Sequence, residues 1–239
     1  MPEEINRVLT DHSADLLFAP TATAVKHLHN EGIPDSRIHL VGDVMYDAAL
    51  YYSQKSDQIS QILANLNLSS KHYLLATIHR AENTDNPQIL EAIFTAFAYI
   101  TKTIPLVLPL HPRTRKQLHH YQLDHLTQPL TLIDPVGYLD MVQLTKNARL
   151  VLTDSGGLQK EAFFHRVPCL TLRTETEWTE LVELGWNRLI LSTDPMAIHQ
   201  AIEASLASPL PSALDLSPYG SGGSVWGLLA AMGRGNLRC

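Results

Sequence analysis

The run Arg149-Leu-Val-Leu-Thr-Asp-Ser-Gly-Gly-Leu-Gln-Lys-Glu161 joins a short apolar strand to the opening of a helix through Asp154-Ser155-Gly156-Gly157. Two adjacent glycines let backbone come close to a ligand, because no Cβ stands in the way. The helix that begins there aims its unpaired N–H groups and positive dipole end at whatever fills the turn, which suits a phosphate. Glu161 lies about one and a half helical turns beyond Ser155, within reach of sugar hydroxyls beside such a phosphate. The same residues also describe a plain helix start, with Ser155 as cap and the glycines as turn formers. A lone Ser-Gly-Gly more often means the latter, so its setting must decide.

Four other stretches carry groups able to act on a ligand. Thr77-Ile-His-Arg-Ala-Glu-Asn83 sets a histidine and an arginine beside a carboxylate. Such a set can bind a diphosphate and exchange a proton near neutral pH; it equally describes a capping loop with His79 half buried. His111-Pro-Arg113 is a second basic pair, or a helix entry with proline at its start. Asp134-Pro-Val-Gly-Tyr-Leu-Asp-Met141 has the make-up of a loop that holds a flat base against backbone and apolar groups. In Glu175-Thr-Glu-Trp178, Glu177 can accept from sugar hydroxyls or complement a helix dipole. Glu3 and Glu4, taken as residues alone, fit best as solvated carboxylates of a first helical turn.

The elements that must position these groups become regular from Lys71 onward. Strand-like runs occur at Tyr73–Thr77, Leu106–Leu110, Leu130–Ile133, Leu150–Leu152, Cys169–Leu172 and Leu189–Leu191. Between and after them lie helical stretches at Pro87–Tyr99, Thr114–Tyr121, Leu139–Thr145, Gly157–His165, Glu177–Leu184 and Pro195–Leu206. This alternation predicts right-handed βαβ crossovers and a doubly wound parallel sheet, an α/β fold. Ligands of such sheets bind beyond the carboxyl ends of the strands, at the switch point. His79, His111, Asp134 and Ser155 each follow a strand end, so the fold would gather them along one edge. That convergence favours a functional site at Ser155.

The opening segment supplies only two strands, Asp15–Ala19 and Ile38–Val41, among helices at its start, before Asn30 and over Val44–Tyr52. Polar Ser53–Ser60 reads as surface or linker. After Leu206 come loops rich in proline, serine and glycine, and Val225–Cys239 makes a poor amphipathic helix. The expected limits are therefore residues 1–58, 59–207 and 208–239. A hydrophobic content of 45%, a charged content of 18% and a net charge of −6 describe a globular chain with no general attraction to nucleic acid or anionic membrane. No apolar run is long enough to span a bilayer. Twelve histidines lack metal-ligand spacing, and no motif calls for a cofactor. Cys169 and Cys239 suggest no disulfide framework, which points to a reducing cytoplasm.

Taken in order, Met1-Pro-Glu-Glu-Ile-Asn-Arg7, Val41-Gly-Asp-Val-Met-Tyr-Asp47, Thr77-Ile-His-Arg-Ala-Glu-Asn83, His111-Pro112, Asp154-Ser-Gly-Gly-Leu-Gln-Lys-Glu161, Thr176-Glu-Trp178 and Gly185-Trp-Asn187 resemble the non-hydrolysing UDP-N-acetylglucosamine 2-epimerases. The resemblance extends from Met1 to about Tyr219. It implies a GT-B arrangement, two Rossmann-like domains facing across a cleft, with UDP held mainly by the second. Residues 1–58 would then be part of the first Rossmann-like domain with its linker, 59–207 the UDP-binding domain and 208–239 a tail. The resemblance further implies that Ser155, Gly156 and Gly157 bind the diphosphate and Glu161 the ribose hydroxyls. The backbone at Val136 and the side chain of Met141 would flank uracil. His79 would contact phosphate or assist the chemistry, and Glu3 would be one of the catalytic carboxylates. The implied reaction inverts C2 of a UDP-sugar by eliminating UDP and adding it back. Full-length members are expected to form homodimers.

Family members carry most of a first domain ahead of the Pro-Glu-Glu motif, at which this sequence begins. The expectation is a chain that binds UDP but does not turn over alone. Trp178 stands where some members have arginine. Val-Gly-Asp-Val-Met-Tyr-Asp and Thr-Glu-Trp are also similar to the branch acting on UDP-2,3-diacetamido-2,3-dideoxyglucuronate. Tyr219-Gly-Ser-Gly replaces the family's Tyr-Gly-Asp-Gly, and no helix is legible after it. Two further readings share the nucleotide site: an inactive UDP-binding fragment, and a GT-B glycosyltransferase.

Overall fold

A computed structural model of the protein describes residues 2–211 and 218–234, with side chains for 4–211 and 218–232. The chain divides into two compact units, Met1–Tyr51 with Ser212–Cys239, and Tyr52–Pro211. The boundaries thus fall at 51/52 and 211/212, against 58/59 and 207/208 expected from composition.

The first unit contains α1 (Pro2–Ser13), β1 (Leu17–Ala19), α2 (Ala22–Asn30), β2 (Ile38–Leu40) and the start of α3 (Val44–Ile59). β1 and β2 pair in parallel with Leu17 opposite Ile38, over a small core of Leu17, Ala19, Leu28 and Ile33. Helix α3 runs through the unit boundary, so Ser53–Ile59 is helix rather than linker. Its polar residues have partners that local sequence does not show. Buried Ser56 accepts from Gln143 Nε2 at 3.1 Å, and Asp57 accepts from Lys146 Nζ at 2.6 Å.

The second unit follows as α4 (Ile62–Asn65), β3 (Leu74–Thr77), α5 (Ala81–Thr84), α6 (Pro87–Ile100), β4 (Leu106–Pro109), α7 (Pro112–His120), β5 (Thr131–Ile133), α8 (Tyr138–Asn147), β6 (Leu150–Thr153), α9 (Gly156–Phe164), β7 (Cys169–Thr171), α10 (Thr179–Glu183), β8 (Asn187–Leu189) and α11 (Pro195–Ala207). Its six strands are all parallel, in the order β5-β4-β3-β6-β7-β8. The connection direction reverses between β3 and β6, which is the switch point of a doubly wound sheet. Side chains alternate along each strand. Leu74, Ala76, Leu106, Leu108, Leu150 and Leu152 face one core, shared with Ile93, Phe94 and Phe97 of α6 and Ile198 and Ile202 of α11. Leu75, Val107, Val151 and Cys169 face the other, with Leu144, Leu158 and Ala162 of α8 and α9. Burial on both faces explains why the strands read as unbroken apolar runs.

The last described element, α12 (Ser224–Arg234), is a helix in the segment that read as a poor one. Its start is pinned from far along the chain. The Asp47 carboxylate accepts from Gly223 N at 2.8 Å and Val225 N at 3.1 Å, and Asp43 N donates to Tyr219 O at 3.0 Å. Gly42 is required beside this junction: its φ is +85°, and a Cβ there would come within 2.6 Å of Ser224 Oγ.

Candidate functional site

Strands β3 and β6 end level with each other, Thr77 opposite Thr153. Their hydroxyls lie 2.6 Å apart, and Thr153 Oγ1 also accepts from Ser155 N at 3.0 Å. The intervening Asp154 is fully buried. Its carboxylate reaches across the switch point and accepts from His79 N at 3.0 Å, Arg80 N at 2.9 Å and Asn83 Nδ2 at 3.1 Å. His79 Nδ1 stands 3.2 Å from Asp154 Oδ1.

Ser155 caps α9, its Oγ accepting from Leu158 N at 3.4 Å. Among the described residues the amides of Gly156 and Gly157 find no protein acceptor, as expected for the first positions of a helix. Trp178 braces this end: its Nε1 donates to Gly156 O at 2.9 Å, and the Lys160 ammonium lies 4.1 Å from its ring centre. A Cβ on Gly156 would approach Glu177 Oε2 to 3.4 Å, whereas one on Gly157 would meet nothing closer than 4.0 Å. Protein packing therefore leaves Gly157 free to be any small residue.

A pocket of about 320 Å³ opens at this edge. Ser155, Gly157, Leu158 and Glu161 of the α9 turn line one side; Thr77, Ile78, His79 and His111 line another, with Pro109, Pro135 and Met141 completing it. The His79 and His111 rings are 5.7 Å apart. Burial pushes the Glu161 carboxyl above its ordinary value, against a hydrogen bond from the Tyr138 hydroxyl that lowers it. Burial and the facing Glu161 push Tyr138 up to about 12.

The fold thus brings together His79, Met141, Ser155, Gly157 and Glu161, and adds His111. Val136 packs against the second core rather than lining the pocket, and Gly156 does not line it either. Asp134 does not join them; it is exposed and pairs with Arg115 at 3.1 Å. Arg113 turns to Thr84 and Asp85. Glu177 is held by the buried Arg173 through two 3.0 Å bonds, with Arg80 3.7 Å away, and α10 begins two residues later, at Thr179. The side chain of Glu3 lies outside the described residues. Glu4 is exposed and bonded to Arg7. Sequence reasoning missed the Thr77–Thr153 pair, the role of Asp154 and the Tyr138 contact. Only Asp154 carried a local signal, as an aspartate placed directly after a strand buried on both faces.

A six-stranded parallel sheet in this order, with a pocket at its switch point and a glycine-rich helix mouth in the wall, defines a Rossmann-like domain with a site suited to an anion. The family model described as UDP-N-acetylglucosamine 2-epimerase matches residues 1–232, and the chain belongs to that family. It is 54% identical over 194 residues to a UDP-N-acetylglucosamine 2-epimerase homolog of Methanococcus maripaludis, covering 80% of this chain and 54% of that protein. Identity is 47% over 205 residues to the UDP-2,3-diacetamido-2,3-dideoxy-D-glucuronate 2-epimerase of Pseudomonas aeruginosa, covering 84% and 55%. The structure of Methanocaldococcus jannaschii UDP-GlcNAc 2-epimerase in complex with UDP-GlcNAc and UDP superposes with a TM-score of 0.86 at 38% identity, covering 98% of this chain and 65% of that one. The chain spans between about half and two-thirds of the length of these relatives. No helix among the described residues is long and apolar enough to cross a membrane.

Two outcomes are expected. Asp154→Ala should destabilise the fold by about 3–5 kcal/mol in urea unfolding, because it strands buried donors that served a charge. A loss under about 0.5 kcal/mol would show that the bridge is dispensable. A carboxyl raised by burial favours the folded state fully below its unfolded pKa, and that contribution is lost as pH rises through the folded pKa. Glu161→Gln should therefore be more stable than the parent at pH 7, and its advantage should vanish as pH falls below the ordinary carboxylate range. An advantage independent of pH would contradict the burial argument.

Proposed function

We propose that this chain holds the UDP part of a UDP-sugar and takes part in inversion at C2 by elimination and re-addition of UDP. The observation that carries the reading is the pair of unsatisfied amides at Gly156 and Gly157, at the mouth of α9 beside the pocket that His79 lines. In this proposal Ser155, Gly156 and Gly157 bind the diphosphate, and Glu161 accepts from the ribose hydroxyls. The backbone at Val136 and the Met141 side chain flank uracil. The unit Tyr52–Pro211 is the UDP-binding domain, and the smaller unit belongs to the first, sugar-side Rossmann-like domain. The M. jannaschii relative, whose structure is a complex with UDP-GlcNAc and UDP, supports this arrangement. The P. aeruginosa relative makes a diacetamido-glucuronate sugar the second substrate to try. A nucleotide-sugar substrate and the buried free thiol of Cys169 fit a cytoplasmic setting.

The chemistry follows from where charge moves. A carboxylate, assigned to Glu3, takes the C2 proton. The released electron pair forms the C1–C2 double bond as the C1–O bond breaks, and the leaving oxygen carries its pair onto UDP. Charge growing on the diphosphate is met by the α9 amides and by an N–H at His79 Nε2, on the loop that Asp154 holds. Returning the proton to the other face and re-adding UDP completes the inversion.

UDP at about 100 times its Kd should raise Tm by about 5–10 °C through mass action. Gly157→Ala should leave the free protein as stable or up to about 1 kcal/mol more so, yet abolish most of the UDP shift. Equal UDP shifts in parent and variant would remove the helix-mouth assignment. For turnover, this chain joined behind the leading third of the M. jannaschii enzyme should bring solvent deuterium into C2 of UDP-GlcNAc. His79→Ala should slow that exchange about 100-fold or more; an undiminished rate would exclude His79 from the chemistry.

A further inference from the structure

The amino-terminal edge of the same sheet carries a second pocket, of about 290 Å³. Lys71 precedes β3, Arg149 precedes β6, and Arg166 with Pro168 precedes β7, three neighbouring strands. Ser205, Leu206, Ser208 and Leu210, at and beyond the end of α11, close it. Among the described residues three cations line this pocket and no carboxylate does. Among the described residues none of the three is ion-paired. Lys71 Nζ donates to the carbonyls of Lys146 at 2.8 Å and Ala148 at 3.0 Å, and Arg149 reaches only Leu206 O at 3.5 Å. Arg166 stacks 5.2 Å over the Phe163 ring, and its Nη1 is buried with no acceptor. Burial holds the Lys71 amine below its ordinary value, as expected for a cation lacking a counter-charge.

The ends of helices gather at this edge, and their negative dipoles account for cations that bond carbonyls, as Lys71 does. They do not account for Arg166. It follows α9 with φ of +57°, while Arg166 N donates to Phe163 O and Val167 N to Ala162 O, each at 2.9 Å. That is a Schellman closure, whose left-handed position is ordinarily glycine. A side chain there costs on the order of 1 kcal/mol, as it does at Asn67 and Gln122, which close α4 and α7 in the same way. What sets Arg166 apart is its buried Nη1 with no acceptor.

We propose that this pocket binds a compact oxyanion, the phosphate group of a small molecule, through Arg166 and Arg149 with Lys71 as the third charge. Phosphate presents several acceptor oxygens to converging cationic donors, and Pro168, Leu206 and Leu210 offer an apolar wall for the rest of the molecule. The site is distinct from the UDP pocket. It lies at the other end of four-residue strands such as β6, about 13 Å away along the chain.

The test uses inorganic phosphate as probe, with chloride at matched ionic strength as reference and thermal stability as readout. Phosphate should raise Tm, and the rise should persist when UDP is saturating. Arg166→Gly should raise Tm in chloride, since glycine suits the left-handed position. The same change should weaken phosphate at least about tenfold, the value of one charge-assisted bond. Arg149→Gln should weaken it similarly and decides the matter alone if the glycine variant does not fold. The UDP shift should be unchanged in both variants, so failure here is separable from failure of the UDP reading. A phosphate response that saturating UDP abolishes, or that survives both substitutions, overturns the proposal, as does the absence of any response.

Discussion

One buried carboxylate holds the switch point together. Asp154 directly follows β6, yet its hydrogen bonds go to the loop that follows β3, so the two central strands share a single junction. Each charge-assisted bond contributes about 1.5–3 kcal/mol, and an amide at this position would present a donor to donors. The path of the loop that carries His79 and the approach to α9 are therefore set by one residue. Neither can shift without exposing the other to a loss of buried hydrogen bonds, which is how a site built from two loops becomes rigid.

The same residue shapes the electrostatics. An aspartate next to an anion site would repel the ligand if its charge faced outward; here several N–H groups absorb it. The arginines nearby are engaged as well: Arg80 and Arg173 with Glu177, Arg113 with Asp85, Arg115 with Asp134. Among the described residues, what remains for an anion is backbone amides and two histidines. Such donors stabilise developing charge without adding a full fixed cation. For the proposed reaction, which releases a diphosphate and then returns it, moderate stabilisation is preferable to tight capture, since neither direction is trapped.

The sequence showed the large sheet well, because strands buried on both faces leave unbroken apolar runs between helices. It also showed Ser155, Gly157 and Glu161 as one cluster, since strand-turn-helix geometry places them there without reference to anything distant. Legibility failed wherever a partner was far along the chain. Ser53–Ile59 looked like linker because Gln143 and Lys146, which bond its polar face, lie about ninety positions away. Helix α12 looked unsupported because Asp47 holds its start. Glu177 looked available for sugar, but its bidentate partner is Arg173, four residues earlier and almost fully buried. That last case was within local reach; a lone arginine directly after an apolar strand is a sign that some carboxylate must follow it inward.

The two edges of the sheet also explain why their charged residues differ. In a doubly wound fold the helices run opposite to the strands, so helix amino ends collect at the carboxyl edge and helix carboxyl ends at the other. The carboxyl edge is already positive through its N–H groups and can accept an anion with glycines alone. At the amino edge, α8, α9 and α11 end at Asn147, Phe164 and Ala207, and their free carbonyls make it negative. An anion can settle there only if side chains reverse the field. Lys71 and Arg149 begin that reversal by bonding helix-end carbonyls. Arg166 exceeds what neutralisation requires, because among the described residues it bonds none of those carbonyls and its Nη1 is buried without an acceptor. The surplus charge, rather than the mere presence of cations, is what separates an anion site from ordinary helix capping.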